Sequence, residues 1–194
     1  MGWSLFTSDD FKNLRECICG DRDEFVRLRQ LVVNIVMATD VMDKDINALR
    51  RQRWAEAFDA VLTTDDDDAS ATALLVHKRS TIVLEHLIQA SDVAHTMQHW
   101  HIYTKWNERL FCEMYTAYQQ GRLDKDPSVS WYMGEQGFFD FYVIPLAKKL
   151  ATCGVFGVSS DEYLQYAQRN REEWEQKGQE LVAMYLHKYR SNDK

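Results

Sequence analysis

The chain is poor in residues that interrupt helices, with two prolines and eight glycines in 194 residues. Proline breaks the hydrogen-bond ladder and glycine costs about 1 kcal/mol in a helix interior, so long helical segments are expected. No stretch alternates with period two for long enough to make a strand, and no internal repeat is visible. No apolar run approaches the ~20 residues that span a bilayer. The opening MGWSLFTSDDF lacks a basic region followed by an apolar stretch, so no signal peptide is expected. It fits a myristoylation pattern poorly, because Phe6 stands at the Ser/Thr position. Cys17, Cys19, Cys112 and Cys153 form no CxxC pair and lack zinc-site spacing, so reduced thiols in an intracellular protein are expected. Basic residues are the minority, 23 against 30 acidic ones. The net charge of -7 argues against nucleic acid or an anionic membrane as the main partner. A phosphate substrate stays compatible, since bound metal ions invert the local charge.

What is present supports a core: a hydrophobic fraction of 45%, with nine Phe, nine Tyr and six Trp. The length suits one domain or a large piece of one, and residues 1–194 read as a single all-α unit. A first helix is expected from Thr7 or Ser8 to about Gly20, with Asp9 and Asp10 in its first turn. Asp21 with Glu24 three residues on has capping-box spacing. From Phe25 to Met37 apolar residues fall at 25, 28, 31, 32, 35 and 36, widened by Val26 and Val33, which predicts a well-buried helix. Residues 45–60 read as a helix exposing Arg50, Arg51 and Arg53. TTDDDDAS at 63–70 is the clearest loop. Its adjacent acids repel one another, and it lacks the alternating oxygens and glycine of a calcium loop. Residues 71–90 and 97–120 read as helices, with Trp106, Leu110, Met114 and Tyr118 on one face of the second. After a loop at 121–129, a helix from Glu135 to about Leu150 should kink at Pro145. Ser159 to Glu162 has the form of a capping box opening a last helix over 160–189.

The stretch 90–157 holds most of the groups that could do chemistry. Asp92, His95 and His99 are spaced i, i+3, i+7, and on one helix they would share a face. Such a set could hold a divalent metal, but spacing alone favours solvent-facing or hydrogen-bonded histidines near a helix start.

Several segments together resemble class I 3',5'-cyclic-nucleotide phosphodiesterases. Ser91-Asp92-Val93-Ala94-His95 followed by Tyr103-Thr104-Lys105-Trp106-Asn107-Glu108-Arg109 is similar to that family's Ala-Asp-Leu-Ser-Asn-Pro and Tyr-x-x-Trp motifs. IVMATDVMDKD at 35–45 resembles a family helix end, GEQGFFDFYVIPL at 134–146 a segment of the nucleotide pocket, and Asn170-Arg171-Glu172 part of the last helix. The likeness runs from about Trp3 to Gly178, in order along the chain. It implies an all-α, compact multi-helix domain of which this chain is the C-terminal portion. It implies hydrolysis of cyclic nucleotides to nucleoside 5'-monophosphates, with two divalent metal ions, zinc and magnesium or manganese, held by two His and two Asp. By the resemblance Asp92 is a metal ligand, and His95 and Asp40 support the site. Phe138 and Leu110 form the apolar slot for the base, and Glu135 stands where a glutamine reads the purine edge. Val93, Asn107 and Met114 lie nearby, with Val41 and Met42 at the border. Read by spacing alone, the same aromatic residues are core.

Two departures qualify the resemblance. The family's other metal ligands and its proton-donating histidine lie in His-x-x-x-His and His-Asp motifs N-terminal to everything here. This chain has no histidine before His77 and no His-Asp pair. The partners implied are therefore a cyclic nucleotide and the missing N-terminal half of the domain, in an intracellular setting, cytoplasmic or on the cytoplasmic side of a larger membrane protein. The second departure is Glu135 itself, an acid in place of an amide. A catalytically inactive helical module that binds a nucleotide or a protein is the rival reading.

Overall fold

The computed structural model describes residues 2–41, 43–59, 69–154, 156–159 and 161–190. Among the described residues the regular structure is helical and no strand occurs. The helices are α1 (Gly2–Phe6), α2 (Lys12–Ile18), α3 (Arg22–Ala38), α4 (Lys44–Trp54), α5 (Ala69–Asp92), α6 (Trp100–Gln119), α7 (Trp131–Phe138), α8 (Ile144–Cys153) and α9 (Glu162–Arg190). The chain divides into two compact units, Met1–Ile88 and Gln89–Lys194. No helix is long and apolar enough to cross a membrane among the described residues.

In the first unit the chain is helical before Thr7, earlier than expected. The Thr7 and Ser8 hydroxyls turn back to donate to the carbonyls of Trp3 and Leu5, so they close α1 and do not cap α2. The Asp21–Glu24 motif forms with one change. Asp21 Oδ1 accepts from Glu24 N at 2.8 Å, while the Glu24 carboxylate reaches back to Gly20 N. The expected deep burial of α3 is not found. Phe25, Leu28, Leu31, Val32 and Ile35 are half-buried, and Val26, Val33, Val36 and Met37 are exposed. The stripe faces only part of a core, because within this unit its outer flank meets solvent. Arg50, expected outside, is buried, and Arg53 is half-buried. The Arg50 guanidinium donates to the carbonyls of Met37 and Asp40, supplying donors where α3 ends and its last carbonyls lose helical partners. Arg53 pairs with the buried Glu85 at 2.8 Å. Of the expected acidic loop, residues 63–68 lie outside the described residues, and Ala69 and Ser70 already belong to α5.

In the second unit α9 is the centre of the packing. Its Ala167, Asn170, Trp174, Gly178, Val182 and Tyr185 are buried, at the three- and four-residue spacing of one helix face. The inner face of α6 is Tyr103, Asn107, Phe111 and Tyr115, recurring every four residues. The Trp106–Tyr118 row, one step round the helix, is left half-buried or exposed. Leu146, Ala147 and Leu150 of α8 complete the core with Phe139 and Val143. The helix expected at Glu135 begins earlier, at Trp131, and its interruption is a π-helical turn over Phe139–Val143, just before Pro145. Proline offers no N–H to the carbonyl four residues back, and a widened turn accommodates that loss. The last helix starts at Glu162, while Ser160 of the expected capping box lies outside the described residues.

Trp174 is fixed on several sides. It has no exposed surface, its Nε1 donates to the Tyr132 carbonyl at 3.0 Å, and its ring meets Tyr103 edge-on. The indole covers Gly178, where an added Cβ would lie 2.7 Å from a ring carbon. Gly178→Ala is expected to destabilise by about 1–3 kcal/mol, although alanine is the better helix former. Gly134→Ala, in α7 with nothing within 4 Å of the new carbon, should be neutral or stabilising. Thermal denaturation of both variants checks this; a Gly178→Ala protein as stable as its parent would mean the indole can move aside.

Candidate functional site

The segment from Asp92 to Trp100 is not one helix. α5 ends at Asp92, a 3₁₀ turn follows over Ala94–Met97, Gln98 is extended, and α6 opens at Trp100. Asp92, His95 and His99 therefore do not share a helix face. His99 turns to Tyr166, with Nε2 3.0 Å from the phenol oxygen, and its ring lies 5.8 Å from that of His101. Asp92 and His95 instead border a cavity of about 560 Å³ with Gln98, Trp106, Arg109, Leu110 and Glu113. Asp92 is exposed, whereas His95 is half-buried and loss of hydration holds its pKa below the ordinary histidine value. The neutral imidazole is thus favoured there. The Arg109 guanidinium lies over the Trp106 ring at 5.0 Å. Val93 precedes the 3₁₀ turn, and its carbonyl accepts from both the amide and the hydroxyl of Thr96.

Glu135 and Met114 border a different cavity, of about 460 Å³, between α6, the 123–127 segment and α7. Under it runs a buried polar chain. Trp131 Nε1 donates to Asn107 Oδ1 at 3.2 Å, Asn107 Nδ2 lies 3.4 Å from the Tyr103 oxygen, and Tyr103 donates to Glu135 Oε2 at 2.8 Å. Glu135 as a residue is half-buried, but its carboxyl end sits deep enough for desolvation to raise its pKa, against the hydrogen bonds from Tyr103 and Asn107. Burial and the adjacent carboxylate also keep Tyr103 protonated, well above the usual tyrosine range. Tyr103, Trp131 and Arg109 received no role from sequence. The four-residue recurrence of Tyr103, Asn107, Phe111 and Tyr115 was the signal that could have placed Tyr103 inside.

Phe138 is half-buried and stacks on Tyr142 at 5.4 Å, and it borders neither cavity. Leu110 is 45% exposed on the wall of the first. Gln136, the neighbour of Glu135, donates to the Tyr132 hydroxyl at 3.0 Å. In the other unit Asp40 is exposed, with Oδ1 accepting from Asp43 N at 3.3 Å, and the carbonyl of half-buried Val41 accepts from Asn47. Met42 lies outside the described residues. Among the described residues no three His, Cys, Asp or Glu side chains come together as a metal would require. The donors among the described residues do not by themselves fit a metal site.

The Glu135 carboxyl gives a direct test of this geometry. Its folded pKa is raised, so folding takes up a proton and stability falls as pH rises from the unfolded carboxylate pKa through the folded one. Glu135→Gln keeps an acceptor for Tyr103 and removes the charge. The variant should be more stable than its parent above that range and lose the advantage as pH falls below it. Urea unfolding across pH measures it; a difference independent of pH would mean the carboxyl is well hydrated.

No curated protein and no solved structure shows significant similarity to this chain. Residues 6–156 match the model of the 3'5'-cyclic nucleotide phosphodiesterase family. The matched span holds Asp92, His95, Leu110, Glu135 and Phe138 and stops short of α9. With the greater part of its length so matched, and a wholly helical architecture among the described residues, the chain belongs to the 3'5'-cyclic nucleotide phosphodiesterase family.

Proposed function

We propose that this chain is the C-terminal portion of a phosphodiesterase catalytic domain, and that the complete domain hydrolyses 3',5'-cyclic nucleotides to nucleoside 5'-monophosphates. The observation that carries the reading is the family match over residues 6–156, within which Asp92, His95 and Leu110 border one cavity. In this reading 1–194 is a single partial domain. Asp92 supplies one carboxylate to the ligand set for the family's divalent ions, and His95 supports that set. Leu110 and Phe138 take the base, Glu135 meets its polar edge, and Val93, Asn107 and Met114 shape the surroundings. In the family the remaining ligands and the proton donor come from motifs N-terminal to these segments; this sequence has no histidine before His77 and no His-Asp pair. The same shortage of ligands favours the second reading, a helical module that binds a nucleotide or a protein without hydrolysing it. Translation of the coding DNA upstream of Met1 separates the two: in-frame His-Asp motifs support the enzyme, an in-frame stop the module.

The isolated chain is expected to leave cyclic AMP and cyclic GMP intact with added Mg²⁺, Mn²⁺ or Zn²⁺, at the level of a heat-killed control. Turnover above that level and abolished by Asp92→Ala would overturn the assignment of a partial site.

In the complete enzyme, selectivity should follow the protonation of Glu135. A neutral carboxylic acid carries a donor and an acceptor, as an amide does, and suits adenine or guanine. The ionised form only accepts, which suits the N1–H and exocyclic amine of guanine and repels the adenine N1 lone pair. Since burial raises the Glu135 pKa, the neutral form persists to higher pH than for an ordinary glutamate. The ratio of kcat/KM for cyclic GMP over cyclic AMP is expected to rise with pH, and Glu135→Gln to flatten it. A ratio constant with pH in the parent enzyme would show that Glu135 does not meet the base.

A further inference from the structure

The connection between α5 and α6 carries Asp92 and His95, and its backbone does not hold itself. Leaving the helical ladder frees carbonyls that a helix would have paired, and a buried carbonyl without a donor is costly. Thr96 and Met97 are buried, so water is a poor substitute there. The donors come from α9, more than seventy residues along the chain. Asn170 is 2% exposed, and its Nδ2 donates to the Thr96 carbonyl at 2.9 Å and to the Gln98 carbonyl at 2.7 Å. One amide nitrogen thus ties two carbonyls across the end of the 3₁₀ turn.

We infer that Asn170 is a positioning residue for the Asp92–His95 cavity, holding through the Thr96 and Gln98 carbonyls the connection that carries both side chains. Among uncharged side chains of this size, an amide suits the place. The amide nitrogen carries two N–H groups, a hydroxyl offers one, and a carboxylate offers none. Glutamine would need room for another methylene where neighbouring Ala167 and Trp174 have no exposed surface. Asn170 touches no reacting group. Its effect passes through the backbone at Thr96 and Gln98 to the turn that places His95 in the cavity wall and fixes where α5 must stop.

The significance for catalysis rests on the reading of Asp92 as a metal ligand, but the test does not. Asn170→Leu keeps the branched shape and removes both donors without adding charge. Gly178→Ala, on the same helix, serves as a comparison that perturbs α9 packing without touching these carbonyls. In the full chain, hydrogen exchange of the Val93–His99 amides should quicken by roughly tenfold or more in Asn170→Leu while α8 amides stay protected. The imidazole resonance of His95 should titrate closer to the ordinary histidine value, because a loosened turn rehydrates it. In Gly178→Ala neither change should be confined to this segment. If Asn170→Leu fails to fold, Asn170→Asp, with the same shape and no donor when ionised, is read by hydrogen exchange alone. Unchanged protection of Val93–His99 in a folded Asn170 variant, or the same loosening in Gly178→Ala, overturns the proposal. Local loosening of the segment with no effect of Asp92→Ala in the complete enzyme would leave Asn170 as the anchor and count against the metal-ligand reading only.

Discussion

A helical chain that turns between Asp92 and Trp100 must find donors for the carbonyls the turn releases, and in the second unit α9 provides them. The same helix also donates to carbonyls within α6 and α7. Asn170 reaches Thr96 and Gln98, Trp174 reaches the Tyr132 carbonyl, and Tyr185 reaches the Thr104 carbonyl at 3.3 Å. Each bond joins an inward-facing α9 side chain to the backbone of a segment far away in sequence. Apolar burial would hold α9 against α6 and α8 in any of several neighbouring registers, since it has no direction. A directed bond to a particular carbonyl selects one register. The core of this unit is therefore aromatic in bulk and polar in its register.

The parts of the fold legible in sequence are those fixed within a few residues. The Asp21–Glu24 motif, the helices after it, the turn at 121–129 and the disturbance before Pro145 all depend on neighbours in the chain. The parts that were not legible depend on distant ones. Arg50 reads as an exposed cation on a helix, and only the end of α3 beside it explains why its guanidinium is buried. The apolar stripe of α3 predicts a deeply buried helix, yet periodicity tells which face turns inward and not how much protein covers it. The break after Asp92 leaves no proline or glycine as a sign. It is fixed by Asn170, and a sequence pattern cannot pair two positions so far apart.

The site divides in the same way. Likeness of motifs placed Asp92, Leu110 and Glu135 in order along the chain, and geometry then separates them into two cavities. The residue that most changes the chemistry of Glu135 is Tyr103, whose hydroxyl occupies one carboxylate oxygen from the inner face of α6. A carboxyl fixed in this manner has one oxygen committed to the protein interior. Its remaining hydrogen-bonding capacity, and whether that end donates or accepts, then follows from the proton alone. An acid at this position therefore has hydrogen bonding that changes with pH, where that of an amide would not.

The placement of Asp92 runs against local preference. It is the last residue of α5, where the aligned peptide dipoles leave partial negative charge and where acids are disfavoured and cations preferred. No basic residue lies in that last turn to offset it. Helix stability alone would select lysine, arginine or a neutral cap at this point. The side chain is also exposed to the cavity, so packing gives no reason for a carboxylate. A cation bound in the cavity would reverse the balance, because the carboxylate and the helix end would then both face positive charge. Arg109 borders the same cavity, so the chain itself sets a cation in the wall that carries this carboxylate.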